Sequence, residues 1–167
     1  MLAPLLPCGC YHMRVTAEPL PALETVAPDN GHDPFPAACA ALRQDGYIVP
    51  EPERNGRSAL TAFRHIATET GFTQPTGGRE YYLRLRISAI RQQGRQTLRL
   101  EPAELELRTS YVFGEDGQVL WMRKRYPYEQ YPGMFDLSYV NREMDRVRAL
   151  LEQTLNGKES KWSPTTE

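Results

Sequence analysis

The residues best suited to chemistry lie near the N-terminus, where Cys8, Cys10 and His12 fall within five positions. A short apolar stretch followed by Gly9-Cys10 is typical of the end of a bacterial lipoprotein signal, in which the cysteine is lipidated. The stretch is shorter than the usual apolar region and has no basic segment before it, which a start codon assigned too late would explain. We therefore predict that residues 1–10 are the remnant of a leader and that Cys10 is lipidated.

The alternative for these cysteines is a metal site. Cys8 and Cys10 could supply two ligands, but no second pair of Cys or His occurs at a zinc-like spacing. We expect no metal site and no cofactor. Cys39 lies in an apolar helical pattern, so we expect it to be buried as a small hydrophobic residue.

Catalytic motifs are not recognisable in this sequence. His12, His32 and His65 have no acid or nucleophile at a spacing typical of a catalytic unit, and no phosphate-binding loop or nucleophile elbow occurs. Glu104 and Glu106 are read as solvated charges on a strand. We predict a protein without catalytic residues, although a carboxylate pair assembled from distant segments would escape this reading.

A basic and aromatic segment is the strongest candidate for a binding surface. It comprises Arg123, Lys124, Arg125, Tyr126 and Tyr128. Cations beside aromatic rings suit an amphiphilic or phosphate-bearing partner, or a protein interface. The alternative is an ordinary sheet edge with packed tyrosine rings and solvated hydroxyls.

Strand geometry constrains this surface. Neighbouring strand residues point to opposite faces, so Arg123 and Arg125 should share one side and Lys124 the other. An unpaired buried cation is costly. Either the strand therefore extends beyond the last helix, or the cations pair with Glu104, Glu106 or Glu129.

The overall charge argues against a nucleic-acid partner. The net charge is −1, although the stretch from Arg79 to Arg125 holds ten basic and six acidic residues, a local charge of +4. No global field would recruit a polyanion. The length and composition are those of one globular domain, which we place at residues 11–157, with a disordered polar tail at 158–167.

The first half of the chain predicts one strand and two helices. A short strand is expected near Leu23–Ala27. A helix then begins after a cap at Asp33 and ends at Gly46. A second helix is predicted from a cap at Ser58 to Gly71, since apolar residues recur at helical spacing within it.

The second half predicts a sheet and a final helix. Apolar and polar residues alternate over Tyr81–Ala89, over Thr97–Phe113, where Pro102 marks a bend or an edge, and over Gln118–Tyr128. A Glu115–Gly117 turn joins the last two strands. An amphipathic helix follows over Leu137–Leu155. The sequence thus predicts an α+β fold, with a three- to four-stranded mixed or antiparallel sheet and the helices packed on one face.

This order of strand, helix, three strands and helix, behind a lipoprotein-like cysteine, resembles the lipopolysaccharide-assembly lipoprotein family (LptE). The residues that carry the resemblance are the start Cys10-Tyr11-His12-Met13-Arg14, Leu20-Pro21, the helix end Leu42–Gly46, and the hairpin Glu104–Tyr128. The sequence departs from the family pattern in lacking a glycine after Cys10 and in the added Ser58–Gly71 segment. Other periplasmic lipoproteins have a similar layout.

The resemblance implies a non-enzymatic, lipid-anchored protein on the periplasmic side of the outer membrane. Its expected role is envelope assembly, including lipopolysaccharide transport as the partner of a β-barrel translocon. The expected partners are an outer-membrane β-barrel protein or an anionic glycolipid. The alternative is a soluble binding or scaffold module with no membrane role, in the cytoplasm if Cys10 is not lipidated.

Overall fold

The structure, a computed structural model, describes residues 16–27, 33–52, 56–69, 78–92, 95–113 and 120–157. For residues 92, 110–113 and 120–123 it describes the backbone alone. The elements in chain order are β1 (Leu23–Val26), α1 (Pro34–Gln44), β2 (Ser58–Leu60), β3 (Arg64–Glu69), β4 (Arg79–Gln92), β5 (Arg95–Phe113), β6 (Leu120–Pro127), a 3₁₀ turn (Pro132–Met134) and α2 (Ser138–Leu155).

Helix α1 begins and ends as its sequence predicts. The Asp33 carboxylate accepts a hydrogen bond from the Phe35 N–H at 3.0 Å, which satisfies one of the unpaired donors of the first turn. Pro34 occupies the first helical position, where no backbone donor is needed. Gly46 follows the helix with φ of 90°, a left-handed conformation that glycine adopts without strain.

The sheet is antiparallel and contains six strands, so the predicted number of three to four was wrong while the α+β class is confirmed. The long strands β4 and β5 pair from Arg79–Thr109 to Gln92–Arg95. Both β2 and β3 pair with the outer edge of β4, and both β1 and β6 pair with the outer edge of β5. The six strands therefore occupy only four rows.

The predicted helix over Ser58–Gly71 was wrong, because this segment forms β2 and β3. Its apolar spacing fits either structure, as short apolar runs often do. Tertiary pairing decides between them. Thr61 both donates its N–H to the Leu85 carbonyl and accepts the Leu85 N–H on its hydroxyl, each at 2.9 Å. A helix would leave these buried groups of β4 without partners. Gly71 lies outside the described residues.

At Pro102, where a bend or an edge was predicted, the strand has a β-bulge. Arg84 pairs with Glu104 while Leu85 pairs with Pro102, so Ala103 is an extra residue in β5. A bulge tolerates proline, which cannot donate to the ladder, and it increases the local twist.

One face of the sheet carries the hydrophobic core. Leu83, Leu85 and Ile87 project from β4 into a cluster that includes Leu42 of α1 and Val147 of α2. Cys39 is buried in the same cluster, as predicted, and burial raises the pKa of its thiol. The other face carries charged and aromatic side chains.

The hairpin of β5 and β6 extends past the rest of the sheet. Strand β4 begins at Arg79, opposite Thr109, yet β5 and β6 continue to pair from Ser110–Arg123 to Phe113–Leu120. These four pairs, here called the β5–β6 ribbon, have no third strand among the described residues. The Glu115–Gly117 turn that was predicted to close the hairpin lies outside the described residues.

Candidate functional site

The base of the β5–β6 ribbon carries the predicted basic and aromatic segment. Lys124 pairs with Thr109 and Tyr126 with Leu107, which lies on the core face, whereas Arg125 pairs with Arg108 on the opposite face. The predicted placement of Lys124 and Arg125 on opposite faces is therefore confirmed. A cation stands on each face of the hairpin where the ribbon begins.

Both predicted ways of accommodating these cations occur. The Arg125 Nε lies 3.6 Å from Glu106 Oε1, but 70% of the Arg125 side chain is exposed. An ion pair this long and exposed contributes little to stability. Lys124 is exposed and makes no ion pair within the described part of the chain. Neither cation therefore contributes much to the stability of the fold.

The tyrosines of the segment divide between the surface and the core. Tyr126 is half-buried, and its ring meets that of Tyr131 edge-on at 5.2 Å. Tyr131 is 44% exposed. Tyr128 is only 5% exposed, its N–H donates to the Leu105 carbonyl, and its ring packs edge-on against Phe135. The prediction that Tyr128 lies on an exposed surface is corrected, because the chain turns back toward the core after β6.

Two predicted site positions cannot be placed in full. The Arg123 backbone pairs with Ser110, but its side chain lies outside the described residues. Cys10 also lies outside them. Lys124 and Tyr126, with Tyr131 against the Tyr126 ring, therefore lie on one side of the hairpin and Arg125 on the other. These four residues are here called the ribbon base. Tyr131 is absent from the predicted set because its proximity to Tyr126 depends on the turn after β6.

The sheet face opposite the helices carries arginine and glutamate side chains that form ion pairs. Arg84 donates to Glu104 at 2.7 Å, and Arg108 donates to Glu106 at 2.6 Å. The Arg108 guanidinium also stacks on the Tyr82 ring, 3.7 Å from its centroid. Glu104 and Glu106 are thus charges of a sheet face, each with an arginine partner.

His65 lies at the end of the same face. Its Nε2 is 2.8 Å from the Thr68 hydroxyl, and its ring is tilted against that of Tyr82 at 5.4 Å. The side chain is exposed. These contacts are those of a surface histidine, in agreement with the sequence.

A second polar group, which sequence reasoning missed, joins α1, β3 and α2. This ionic cluster consists of Asp45, Tyr47, Arg64, Glu143 and Arg146. Arg146 donates to both carboxylates, at 2.6 and 2.7 Å to Asp45 and at 2.8 Å twice to Glu143. Arg64 donates to Asp45 at 2.7 Å and lies over the Tyr47 ring. The Tyr47 hydroxyl, on a ring that is 2% exposed, donates to Glu143 at 2.5 Å.

The electrostatics of the ionic cluster fix its protonation states. Burial acts to raise the pKa of Glu143 and of Asp45, but hydrogen bonds from Arg146, Tyr47 and Arg64 outweigh it and hold both below their usual values. Burial and the Glu143 carboxylate raise the pKa of Tyr47 well above its usual range. Two carboxylates are balanced by two guanidinium groups, and the phenol stays protonated. These protonation states favour a structural role, here called a clamp, in which the cluster holds α1, β3 and α2 together. Proton transfer would need a group whose pKa lies near the working pH.

Sequence patterns could not have identified this cluster, because Tyr47 and Glu143 are 96 residues apart in sequence and only the fold brings them together.

Within the described ranges, no three His, Cys, Asp or Glu side chains converge to hold a metal ion. None of the described helices has the length and apolar content needed to cross a membrane. No protein-family model matches the chain, and no curated protein matches it significantly.

Proposed function

We propose that this protein is a non-enzymatic, lipid-anchored protein of the outer membrane that faces the periplasm and assists envelope assembly. In this proposal, Cys10 carries the lipid. The ribbon base and the β5–β6 ribbon contact an outer-membrane β-barrel protein or an anionic glycolipid such as lipopolysaccharide. The proposal rests on the sequence resemblance and on one structural observation. The β5–β6 ribbon extends beyond β4, and the two cations at its base contribute little to the stability of the fold.

The position of the ribbon supports a binding role. Two-stranded ribbons are at best marginally stable alone in water. The β5–β6 ribbon extends four residue pairs beyond β4 and contains the apolar and aromatic residues Tyr111, Val112, Phe113, Leu120, Trp121 and Met122. No other described strand borders these pairs, and an open strand edge is available for pairing with a partner.

The positions of Lys124 and Arg125 indicate the shape and chemistry of a partner that could contact both. Lys124 and Arg125 stand on opposite faces of the hairpin, so a flat anionic surface would meet only one of them. A partner that surrounds the ribbon, with anionic and apolar parts, would meet both. A β-barrel protein with bound glycolipid has this character, and the resemblance implies the same partner.

The proposal that the protein is not an enzyme rests on how the ionic cluster is paired. Each of its carboxylates is held by arginine, and its phenol is held by a carboxylate. A general acid or base needs a pKa near the working pH, whereas the carboxylate pKa values are lowered and the phenol pKa is raised.

Binding to lipopolysaccharide tests the glycolipid part of the proposal. The full chain is titrated with vesicles that contain lipopolysaccharide and with matched vesicles of neutral lipid, at low and high salt. The variant Lys124→Glu/Arg125→Glu is the test protein. A vesicle surface meets one of the two cations, which contributes about 1 kcal/mol, and reversing its charge adds a comparable repulsion, so affinity should fall roughly 30-fold.

Arg91→Glu/Arg95→Glu is the matched control. Both residues are exposed cations near the opposite end of the β4–β5 pair, and the change in net charge is identical. Equal losses of affinity in the two variants would show that net charge alone drives binding. Equal affinity for neutral vesicles, or no salt dependence, would also contradict the glycolipid part of the proposal.

The second candidate is a soluble binding or scaffold module with no membrane role. The outer edge of β3, which pairs with no other described strand and is considered below, favours a protein-binding role of this kind. This candidate predicts no lipid on Cys10 and no preference for lipopolysaccharide over neutral vesicles.

A further inference from the structure

A cleft lies between the outer edge of β3 and helix α2. Among the described strands β3 pairs only with β4, so its other edge carries no strand. The cleft has a volume of about 370 Å³. The sheet side of the cleft is formed by Ile66, Ala67 and Thr68 of β3. The helix side is formed by Tyr139, Arg142, Glu143 and Arg146 of α2.

The dimensions of the cleft match a short extended chain. Tyr139, Arg142 and Arg146 are three and four residues apart, so they lie on one face of α2. From first to last they span about 10 Å at 1.5 Å per residue. The 66–68 edge covers about 7 Å, and four residues of an extended chain span about 10 Å, the length of the helix side. A segment of about four residues lying along β3 would therefore remain under α2.

Arg142 is a cation of the cleft lining that no ion pair of the described residues balances, although the exposed Asp136 carboxylate interacts with it at longer range. Arg64 and Arg146 are balanced by Asp45 and Glu143 in the ionic cluster. Arg142 is exposed, lies 4.8 Å from the Tyr139 ring centroid, and makes no ion pair within the part of the chain that the structure describes. A guanidinium stacked on an aromatic ring keeps its donors for a carboxylate.

We infer that this cleft is a docking groove for an extended acidic peptide, which adds as a strand to the outer edge of β3 and places its carboxylates against Arg142. Strand addition supplies backbone hydrogen bonds, and the side chains on alternate positions supply specificity. The groove is on the edge of the sheet opposite the ribbon base. The inference therefore goes beyond the proposed function and does not depend on it.

A second copy of the chain is a poorer occupant. Pairing of two β3 strands would bring Arg142 of both copies under the same shared edge, and like charges across an interface are unfavourable.

The test uses the full chain and acetylated, amidated hexapeptides in which glutamate and valine alternate. Binding is measured by isothermal titration calorimetry. Two further peptides carry N-methyl groups on the odd or on the even amides, and a fourth has lysine in place of glutamate. Since only alternate amides of an added strand face the sheet, one N-methylated peptide should bind at least about tenfold more weakly while the other retains most of its affinity. The lysine peptide should also bind at least about tenfold more weakly.

The protein variants assign the binding to this groove. Arg142→Glu should weaken the glutamate peptide about tenfold or more. Arg148→Glu, an exposed arginine on the same helix outside the cleft, should leave the affinity unchanged. The ribbon-base variant Lys124→Glu/Arg125→Glu should also bind the peptide normally, which separates this inference from the proposed function.

Several results would overturn the inference. Equal weakening by both methylation patterns would show that the peptide does not add as a strand. Unchanged affinity in Arg142→Glu, or no saturable binding at millimolar peptide, would exclude the groove. A dimer detected by sedimentation and strengthened by Arg142→Ala, which removes the repulsion between the two copies, would identify a second copy as the occupant.

Discussion

Replacing Tyr47 by phenylalanine tests the reading of the ionic cluster as a structural clamp. The ring is almost fully buried, and its hydroxyl donates to Glu143. Phenylalanine keeps the ring and creates no large cavity. A hydrogen bond to a charged group contributes about 1.5–3 kcal/mol. Because Glu143 retains two bonds from Arg146, we expect a loss of about 1.5–2 kcal/mol in the free energy of unfolding, the low end of that range.

Urea unfolding monitored by circular dichroism measures this loss. The midpoint should fall while the slope with denaturant stays constant, since the surface exposed on unfolding is unchanged. Tyr131→Phe is the control, because its ring is half exposed; it should cost less than about 0.5 kcal/mol. A double-mutant cycle with Glu143→Gln should give a coupling energy of about 1 kcal/mol or more between the two side chains.

The pH dependence gives an independent test of the same bond. The folded-state pKa of Glu143 lies below its unfolded value. A lowered carboxyl pKa contributes stability above the unfolded value, about 4.3, and this contribution is lost as pH falls through the folded value. Tyr47→Phe removes one interaction that lowers this pKa, so the variant should lose less stability between neutral and acid pH. A loss below about 0.5 kcal/mol at pH 7, with an unchanged acid profile, would refute the clamp.

Three further predictions concern the helix ends and the anchor. Asp33→Ala should cost about 1 kcal/mol in unfolding free energy, because it removes the cap of α1, whereas Asp33→Asn should cost much less. Gly46→Ala should cost about 1 kcal/mol in unfolding free energy, because alanine is strained at a φ of 90° even though no atom crowds the position. Gly133→Ala is the control: the φ of Gly133 is not positive, so thermal unfolding should show almost no change. Mass spectrometry of the native protein should find an acylated Cys10 at the mature N-terminus; an unmodified Cys10 with Met1 retained would contradict lipid anchoring.

Local signals in the sequence were sufficient for most elements. Asp33 and Pro34 mark the start of α1, and Gly46 its end, because capping and left-handed conformations depend on residue type. Alternation identifies the strands that begin near Tyr81 and Thr97, since one face of each is buried. The α2 prediction holds because its apolar stripe is long enough to exclude a strand.

Long-range pairing explains what the sequence could not provide. The residues from Ser58 to Glu69 fit a helical stripe, and only the open edge of β4 makes them strands. Tyr128 and Tyr131 are alike in sequence, but the turn after β6 buries the first and exposes the second. The ionic cluster depends on contacts between α1, β3 and α2, which no local spacing encodes.

The central claim, that the ribbon base meets an envelope partner, is tested most directly by site-specific crosslinking in the native envelope. A photoreactive residue is placed at Lys124 in one protein and at Arg91 in another. We expect position 124 to crosslink to an outer-membrane β-barrel protein or to lipopolysaccharide, and position 91 to crosslink to neither. Crosslinking of both positions to the same products, or of position 124 to soluble proteins alone, would contradict it.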